Sequence, residues 1–206
     1  RERFDEGETD VDGNIRSIKR PYKQEYDRLK KLDLTKEQEI WFADECKRAG
    51  IASMATVFSL NSAKELKDMG YEAIKIASYD CASYPLLREV KKYWSTIFVS
   101  TGATFDYEIH EAAKILEWSN YHFLHCTTIY PTPLKDLNLR RMDYLRKYTQ
   151  NIGYSDHTKG IGSCVISLQY SPEIIEKHFV ISDTHSCPDL DVSCTPREMT
   201  ELCALA

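Results

Sequence analysis

Short apolar runs, rich in β-branched and aromatic residues, alternate with longer stretches of helical periodicity along most of this chain. The short runs predict six strands, at residues 52–58, 73–78, 96–101, 121–129, 151–155 and 173–179. Each strand and the helix that follows it occupy about 20 to 30 residues. Most of these strands are apolar along nearly their whole length, which is typical of a parallel sheet covered by helices. The pattern therefore predicts an α/β fold.

The first part of the chain breaks this alternation. Residues 1–22 are charged, contain glycine and aspartate, and show no apolar period, which predicts a loop or a disordered arm. A helix is predicted at about residues 36–49, because Thr35 and Gln38 form a capping-box pattern ahead of an apolar run. We therefore expect an arm over residues 1–22 and a single α/β domain over residues 23–206.

The distribution of polar residues favours a barrel over an open sheet. An open doubly wound sheet normally carries a glycine-rich phosphate loop after its first strand, and neither G-x-G-x-x-G nor G-x-x-x-x-G-K-[ST] occurs in this sequence. Polar residues instead stand at the carboxyl ends of the predicted strands, as active-site residues do in (β/α)8 barrels. These residues are Thr56, Ser59, Lys75, Ser78, Ser100, Thr101, 127–130, 155–157 and 176–178. We predict a partial (β/α)8 TIM barrel with about six of its eight strand-helix units, the missing pair being expected before Arg1.

Composition and charge narrow the range of partners. The 206 residues are 42% apolar, enough for one substantial core, and carry a formal net charge of −5. Because no large cluster of lysine or arginine is present, a small molecule is expected as partner and nucleic acid is not. No run approaches the roughly 18 apolar residues that a membrane span needs, so no membrane partner is expected. Seven cysteines without a CxxC pair indicate buried thiols in a reducing cytoplasm.

Two histidines end apolar runs and follow a carboxylate within one or two residues. Residues 152–157 read Ile-Gly-Tyr-Ser-Asp-His, and residues 174–178 read Ile-Ile-Glu-Lys-His. If the two strands are neighbours in a parallel sheet, both imidazoles emerge at the same edge and can share a divalent cation. Asp156 and Glu176 would then be close enough to orient the ligands or to move protons. The alternative is a pair of buried histidines bonded to backbone carbonyls.

Six segments, taken in order, resemble the sialic acid synthase family. They are Lys75-Ile-Ala-Ser78, Ser100-Thr-Gly102, His125-Cys-Thr-Thr-Ile-Tyr-Pro-Thr-Pro133, Gly153-Tyr-Ser-Asp-His157, Ile175-Glu-Lys-His178 and Cys187-Pro-Asp189. The resemblance extends over about residues 50–198. It implies a barrel enzyme that condenses phosphoenolpyruvate with N-acetylmannosamine or a related 2-acetamido sugar. Such an enzyme releases phosphate and forms a nonulosonate, and the resemblance further implies a homodimeric full-length protein.

The resemblance also implies roles for individual residues. His157 and His178 would bind the divalent metal, usually manganese, although magnesium or cobalt also suits this kind of site. Glu176 and Asp80 would be the catalytic carboxylates, Glu176 beside the metal and Asp80 placing the water that adds to phosphoenolpyruvate. The substrate-binding residues would be Thr56, Lys75, Ser78, Ser100 and Ser155 for phosphoenolpyruvate, Tyr130 and Asp189 for the sugar, and in addition Thr128.

The chain departs from the family pattern at several positions. Asp80 and Thr128 stand where glutamate and asparagine are usual, and Cys187 stands where a glycine precedes Pro-Asp. The first two barrel strands, which supply Glu, Lys and Gln, and the C-terminal antifreeze-like domain are expected to lie outside this chain. Two alternatives to the synthase therefore stay open. One is a catalytically inactive truncated barrel that binds sugar or phosphate, and the other is an aldolase that forms a Schiff base at Lys75.

Several other residues are expected to be structural. His122 and His125 lie on one predicted strand, and we expect them to be packed against other elements rather than to bind a ligand. Trp41, Phe42 and Trp118 lie on predicted helices, and we expect them in the core.

Overall fold

The computed structural model describes residues 3–9, 15–184 and 187–206. The chain forms two compact units, Arg1–Phe42 and Ala43–Ala206, so the boundary differs from the one predicted after residue 22.

The segment predicted as a loop or arm, residues 1–22, contains two strands. Strand β1 (Arg3–Thr9) pairs in antiparallel register with β2 (Ile15–Pro21), and residues 1, 2 and 10–14 lie outside the described part of the chain. Strand pairing satisfies backbone N–H and C=O groups whether or not the side chains have an apolar period. The prediction is therefore wrong for these two strands. A sequence signal for pairing was present in Asp12-Gly13, a dipeptide typical of hairpin connections.

Two helices follow the strand pair. They are α1 (Tyr22–Lys30) and α2 (Lys36–Arg48). The predicted capping box at the start of α2 is confirmed, because the Thr35 N–H donates to Gln38 Oε1 at 2.8 Å and the Gln38 N–H donates to Thr35 Oγ1 at 3.3 Å.

The larger unit contains a parallel sheet of seven strands among its described residues. The strands are β3 (Met54–Thr56), β4 (Ala73–Ile76), β5 (Thr96–Ser100), β6 (Asn120–Cys126), β7 (Ile152–Asp156), β8 (Ile174–Phe179) and β9 (Ser193–Cys194). The first six confirm the predicted strands, and β9 is too short for its pattern to be visible in the sequence. The α/β fold with a parallel sheet is thus confirmed.

Helices connect the strands of this sheet. They are α3 (Leu60–Asp68), α4 (Tyr84–Tyr93), α5 (Asp106–Leu116), α6 (Arg141–Leu145), α7 (Gly162–Ser167) and α8 (Pro196–Leu205), the last of which follows β9. Among the described residues, no helix combines the length and the apolar character needed to cross a membrane.

The strands lie in the sheet in the same order as in the chain, from β3 to β9. A doubly wound sheet would reverse its direction at a switch point, and no reversal occurs along these strands. Right-handed connections that all advance the same way put the helices on one face of the sheet. Alternate side chains therefore point either into the helix layer or to the opposite, inner face.

The core lies between the sheet and its helices. Ile74, Phe123 and Tyr154 come from three strands and are almost fully buried together with Leu87 from α4. Burial of such side chains is the main stabilising contribution to the fold, roughly 1.5 to 3 kcal/mol for each large aliphatic or aromatic residue.

The tryptophans predicted in the core lie at the surface instead. Trp118 is 93% exposed, because it follows the end of α5 with a φ of +68° and so leaves the face that the helix buries. Trp41 and Phe42 are also exposed, since α2 buries the face that carries Ala43 and Cys46. The prediction is wrong for all three residues.

The cysteines give a test of this packing. All seven are free thiols; Cys187 and Cys203 are exposed, and the other five are buried. Burial raises the pKa of Cys81 and Cys164 to about 12, which keeps both thiols protonated and unreactive. We expect a disulfide reagent to label Cys187 and Cys203 rapidly in the native protein, as measured by peptide mass spectrometry. Rapid labelling of Cys81 or Cys164 without denaturant would contradict the buried core.

Gly153 leaves no space for a side chain between β7 and its neighbours β6 and β8. A Cβ atom added there would lie 2.5 Å from Ile174 Cγ2 and 2.9 Å from the Ile174 carbonyl oxygen. Because that carbonyl belongs to the β8 backbone, the strands must move apart to accept a methyl group. We expect Gly153→Ala to lower the free energy of unfolding by about 1 to 3 kcal/mol in urea denaturation. Gly162→Ala is the matched control, since nothing lies within 4 Å of its added Cβ; equal stabilities would contradict the prediction.

Candidate active site

The carboxyl ends of five neighbouring strands, β4 to β8, surround a cavity of about 300 Å³. It is lined by Lys75, Ala77, Ser78, Tyr79, Ser100, Cys126, Thr128, Tyr130, Ser155, His157, Glu176 and His178. Parallel strands present their carboxyl ends at one edge of a sheet, and alternation selects the side chains on the inner face. Nine of the twelve predicted site residues therefore meet in one place.

Lys75 and Glu176 form an ion pair across this cavity. Lys75 Nζ lies 3.3 Å from Glu176 Oε1, and the lysine side chain is only 12% exposed. The second carboxylate oxygen, Glu176 Oε2, and the hydroxyl oxygen of Ser100 are buried without a hydrogen-bond partner. A buried polar atom without a partner costs about 1 to 3 kcal/mol. Such atoms in a cavity beside a cation indicate a place for a polar ligand.

His157 is held as a neutral imidazole. Its Nδ1–H donates to the Thr127 carbonyl oxygen at 2.9 Å, which leaves Nε2 as an acceptor for the Tyr130 hydroxyl at 2.8 Å. Burial lowers the pKa of His157, and burial raises the pKa of Tyr130 to about 12. At neutral pH the tyrosine therefore keeps its proton, and the electron pair on His157 Nε2 accepts the hydrogen bond from Tyr130.

His178 faces His157 from the next strand. The ring centroids are 5.3 Å apart, and His178 Nδ1 lies 3.7 Å from Asp189 Oδ2. The sequence prediction that the two imidazoles converge is confirmed.

The two histidines fit a divalent metal by their chemistry. A carbonyl group fixes the tautomer of His157 so that its electron pair is on Nε2, where a metal would displace the hydrogen bond from Tyr130. Proteins commonly orient a metal-binding imidazole in this way. No group of three or more His, Cys, Asp or Glu side chains in a metal-binding arrangement occurs among the described residues. A metal held here would thus take two protein nitrogens and complete its coordination with substrate or water oxygens.

Gly102 brings the loop after β5 against Ser78. Its N–H donates to Ser78 Oγ at 3.1 Å, so the serine hydroxyl keeps its own hydrogen for another acceptor. A Cβ atom at Gly102 would lie 2.7 Å from Thr128 Cγ2 and 2.9 Å from the Cys126 carbonyl oxygen. Only glycine allows this close approach.

A second, wider cavity of about 1020 Å³ opens beside the first. Cys126 and Thr128 line both cavities. The loops after β5 and β6 form most of the wall of the second cavity. A ligand bound in the first cavity can therefore extend into the second.

Three predicted site residues are not among those that line the first cavity. Thr56 lies beside Lys75 in the strand register, Asp80 ends a 3₁₀ turn that begins at Ser78, and Asp189 is exposed but close to His178. The catalytic role of Asp80 and the substrate contacts of Thr56 and Asp189 stay predictions.

The predicted position of Asp156 is wrong. We expected this residue beside the histidines, but its side chain points to the opposite face of β7 because successive side chains of a strand alternate. There it pairs with Lys177, whose Nζ lies 2.6 Å from Asp156 Oδ2. Burial alone would raise the pKa of Asp156, but the hydrogen bond and charge of Lys177, together with the hydrogen bonds from Tyr154 and Ser163, outweigh burial and lower the pKa. Lys177 was missed because its partner becomes evident only from the register of β7 and β8.

His122 and His125 pack against other elements, as predicted. The ring of His125 bonds to the Leu137 carbonyl oxygen at 2.6 Å, and His122 stacks on Phe98 with ring centroids 4.6 Å apart. His125 also lines the second cavity.

The sequence profile of the NeuB family matches residues 8–205, nearly the whole chain. This protein belongs to the NeuB family. Relatives of this NeuB-family chain include the N,N'-diacetyllegionaminic acid synthase of Campylobacter jejuni, which is 35% identical over 84% of this chain and 53% of the relative. The N-acetylneuraminate-9-phosphate synthase of Drosophila melanogaster is 27% identical over 83% of this chain and 47% of the relative. The chain thus spans about half the length of the curated relatives it matches.

A solved structure resembles the NeuB-family chain closely. The N-acetylneuraminic acid synthetase of Leptospira borgpetersenii, solved with citrate, superposes with a TM-score of 0.85 and 30% identity. The superposition covers 89% of this chain and 66% of that structure. The parallel strands described above thus form a half-barrel similar to that of a sialic acid synthase.

Proposed function

We propose that the protein condenses phosphoenolpyruvate with a 2-acetamido sugar to give a sialic acid or a related nonulosonate, with release of phosphate. The observation that carries this proposal is the buried cation of Lys75 beside unpaired polar atoms and a convergent pair of imidazoles. The names of the relatives, which are nonulosonate synthases, support the same reaction.

Phosphoenolpyruvate would bind at the Lys75 end of the cavity. The ligand carries up to three negative charges, so it requires a cation and several hydrogen-bond donors. Lys75 supplies the cation, and three serine hydroxyls, those of Ser78, Ser100 and Ser155, line the same wall. Ser100 in particular has an unpaired buried hydroxyl oxygen, whose hydrogen is available to a phosphate or carboxylate oxygen.

The sugar would bind at the histidine end. A divalent metal, which we propose to be Mn²⁺, would be held by His157 and His178 and would polarise the aldehyde oxygen of the open-chain sugar. Tyr130 keeps its phenolic proton at neutral pH, and once His157 Nε2 binds the metal its hydroxyl would be released to donate a hydrogen bond to a sugar oxygen. Glu176 stands between this end and Lys75 and can orient a water or accept a proton through Oε2.

In the proposed reaction a bond forms between C3 of phosphoenolpyruvate and the aldehyde carbon of the sugar. Water then adds at C2, and the bond between C2 and the phosphate oxygen breaks as phosphate leaves. The two protons of the water go to the alkoxide formed from the aldehyde oxygen and to the departing phosphate. The residues of this chain form no covalent bond with either substrate in this reaction. Lys75 and the serines stabilise the negative charge of the departing phosphate.

We also propose that the seven parallel strands are part of a complete (β/α)8 barrel. Support comes from their sequential order and from the superposition on a sialic acid synthetase. A homodimer of the complete protein in the cytoplasm is part of the same proposal, and the free state of all seven thiols is in keeping with a reducing compartment.

The principal test is release of phosphate from phosphoenolpyruvate by the complete protein with Mn²⁺ and N-acetylmannosamine or a diacetamido hexose. We expect sugar-dependent release, and its loss by at least a hundredfold in His157→Ala and in His178→Ala. His110→Ala is the control, because His110 is an exposed residue of α5 outside the cavity. No release with either type of sugar would refute the proposed reaction.

The Schiff-base alternative predicts a different result at Lys75. Its amine would have to attack a carbonyl as a free base, whereas the structure pairs it with Glu176 as an ammonium group. Borohydride treatment with a keto substrate is therefore expected to leave Lys75 unmodified, as measured by mass spectrometry. Trapping at Lys75 would favour the aldolase.

A further inference from the structure

A buried ion pair lies directly behind the two histidines. Asp156 and Lys177 are opposite each other in the register of β7 and β8, and their side chains are 0% and 1% exposed. Moving two charges out of water costs several kcal/mol each unless every hydrogen-bonding position is filled. A pair this deeply buried therefore needs a dense set of partners.

Hydrogen-bond donors surround the carboxylate of Asp156. Its Oδ1 accepts from the Tyr154 hydroxyl at 2.7 Å and from the Ser163 hydroxyl at 2.8 Å, and its Oδ2 accepts from Lys177 Nζ at 2.6 Å. The Thr158 backbone N–H and hydroxyl also donate to this carboxylate, at 3.2 and 3.0 Å.

Lys177 connects the two residues that flank His157. Its ammonium group donates to the Asp156 carboxylate on one side and to the Thr158 carbonyl oxygen, at 2.5 Å, on the other. Lys177 is also the residue immediately before His178. One ammonium group thus holds the side chain of Asp156 and the backbone of Thr158, on either side of His157, and belongs to the residue before His178.

We infer that Asp156 and Lys177 are positioning residues that set the distance and the mutual orientation of the His157 and His178 rings. They touch neither ring and lie on the opposite face of the strands, so they act through the backbone of residues 156–158 and 177–178. The part of this inference that concerns a bound metal rests on the proposed function.

An ion pair is better suited to this task than an apolar pair of the same size. Apolar side chains can give equal stability at a buried site, but they do not fix direction. The hydrogen bonds of Lys177 point at two specific oxygens, and those of Asp156 close a tight turn around His157. Groups that orient metal-binding imidazoles typically change metal affinity by tenfold to a hundredfold when removed.

The test is the double variant Asp156→Asn/Lys177→Met of the 206-residue chain. It removes both charges together, so neither is left buried alone, and the Asn amide can still accept hydrogen bonds from Tyr154 and Ser163. Circular dichroism checks that it folds. The two readouts are the nuclear Overhauser effect between the ring protons of His157 and His178, measured without metal, and the affinity for Mn²⁺ measured by calorimetry.

We expect the folded double variant to lose the ring-to-ring signal and to bind Mn²⁺ about tenfold to a hundredfold more weakly. The matched control is Lys159→Met/Asp191→Asn, which removes an exposed ion pair that also links the segments after β7 and β8. Its ring signal and affinity are expected to equal those of the unaltered chain. A folded Asp156→Asn/Lys177→Met variant with both readouts unchanged would overturn the inference.

The two readouts distinguish a failure of the proposed metal site from a failure of the inference. If the unaltered chain binds no Mn²⁺, the proposed function loses its metal, while the ring-to-ring signal still decides whether the ion pair positions the histidines. If the double variant does not fold, Thr158→Val replaces it, because it removes one hydrogen bond to Asp156 and leaves both charges in place. We then expect a weaker ring-to-ring signal, and an unchanged signal contradicts the inference.

Discussion

Lys75→Met is expected to lower kcat/KM for phosphoenolpyruvate by about a hundredfold to a thousandfold. The methionine keeps most of the side-chain volume but removes the cation that lines the cavity and that pairs with Glu176 at 3.3 Å. Glu176 then remains as a partly buried carboxylate without its partner, which further disfavours binding of an anionic substrate. The measurement is the rate of phosphate release as a function of phosphoenolpyruvate concentration in the complete protein.

A lysine outside the cavity provides the comparison. Lys159→Met also removes one positive charge, but Lys159 is 65% exposed and pairs with Asp191 at the surface. We expect no more than a twofold change for this variant, since exposed ion pairs contribute little. A loss of less than tenfold in Lys75→Met would show that Lys75 does not bind the phosphate or carboxylate of the substrate.

Asp156→Ala is expected to lower the free energy of unfolding by about 3 to 5 kcal/mol. The substitution leaves Lys177 as a buried ammonium with one partner, the Thr158 carbonyl oxygen, and removes the acceptor for Tyr154 and Ser163. Urea denaturation followed by circular dichroism measures the effect. Asp191→Ala serves as the control and is expected to change stability little, because its carboxylate is 67% exposed. Similar stabilities for the two variants would mean that the buried network contributes no more than a surface ion pair.

The sheet could be predicted from the sequence because most of its strands are apolar along nearly their whole length. Runs such as residues 73–76 and 96–100 are apolar or β-branched and are separated by helical periods, so their type and order follow from the pattern. The convergence of His157 and His178 was predictable for a related reason. Neighbouring parallel strands end at the same edge, and each histidine lies three residues after an apolar or aromatic residue of its strand, Tyr154 or Ile175.

Other features depend on information that a local pattern does not contain. Strand alternation decides the face on which Asp156 lies. The register of β7 and β8 then places it opposite Lys177, which lies 21 residues later in the sequence. Trp118 follows a helical period but lies two residues beyond the end of the helix, in a left-handed backbone conformation. The pairing of β1 with β2 depends on backbone hydrogen bonds, to which side-chain polarity is a poor guide.

The alternation of Ser155, Asp156 and His157 makes this part of the protein intolerant of changes in length. A substitution alters one side chain, whereas deletion or insertion of one residue in β7 or β8 would exchange the two faces beyond that point. The carboxylate or the ammonium would enter the cavity, and an imidazole would enter the helix layer. Homologous proteins with this chemistry should therefore vary in the loops that follow these strands but keep the number of residues within them.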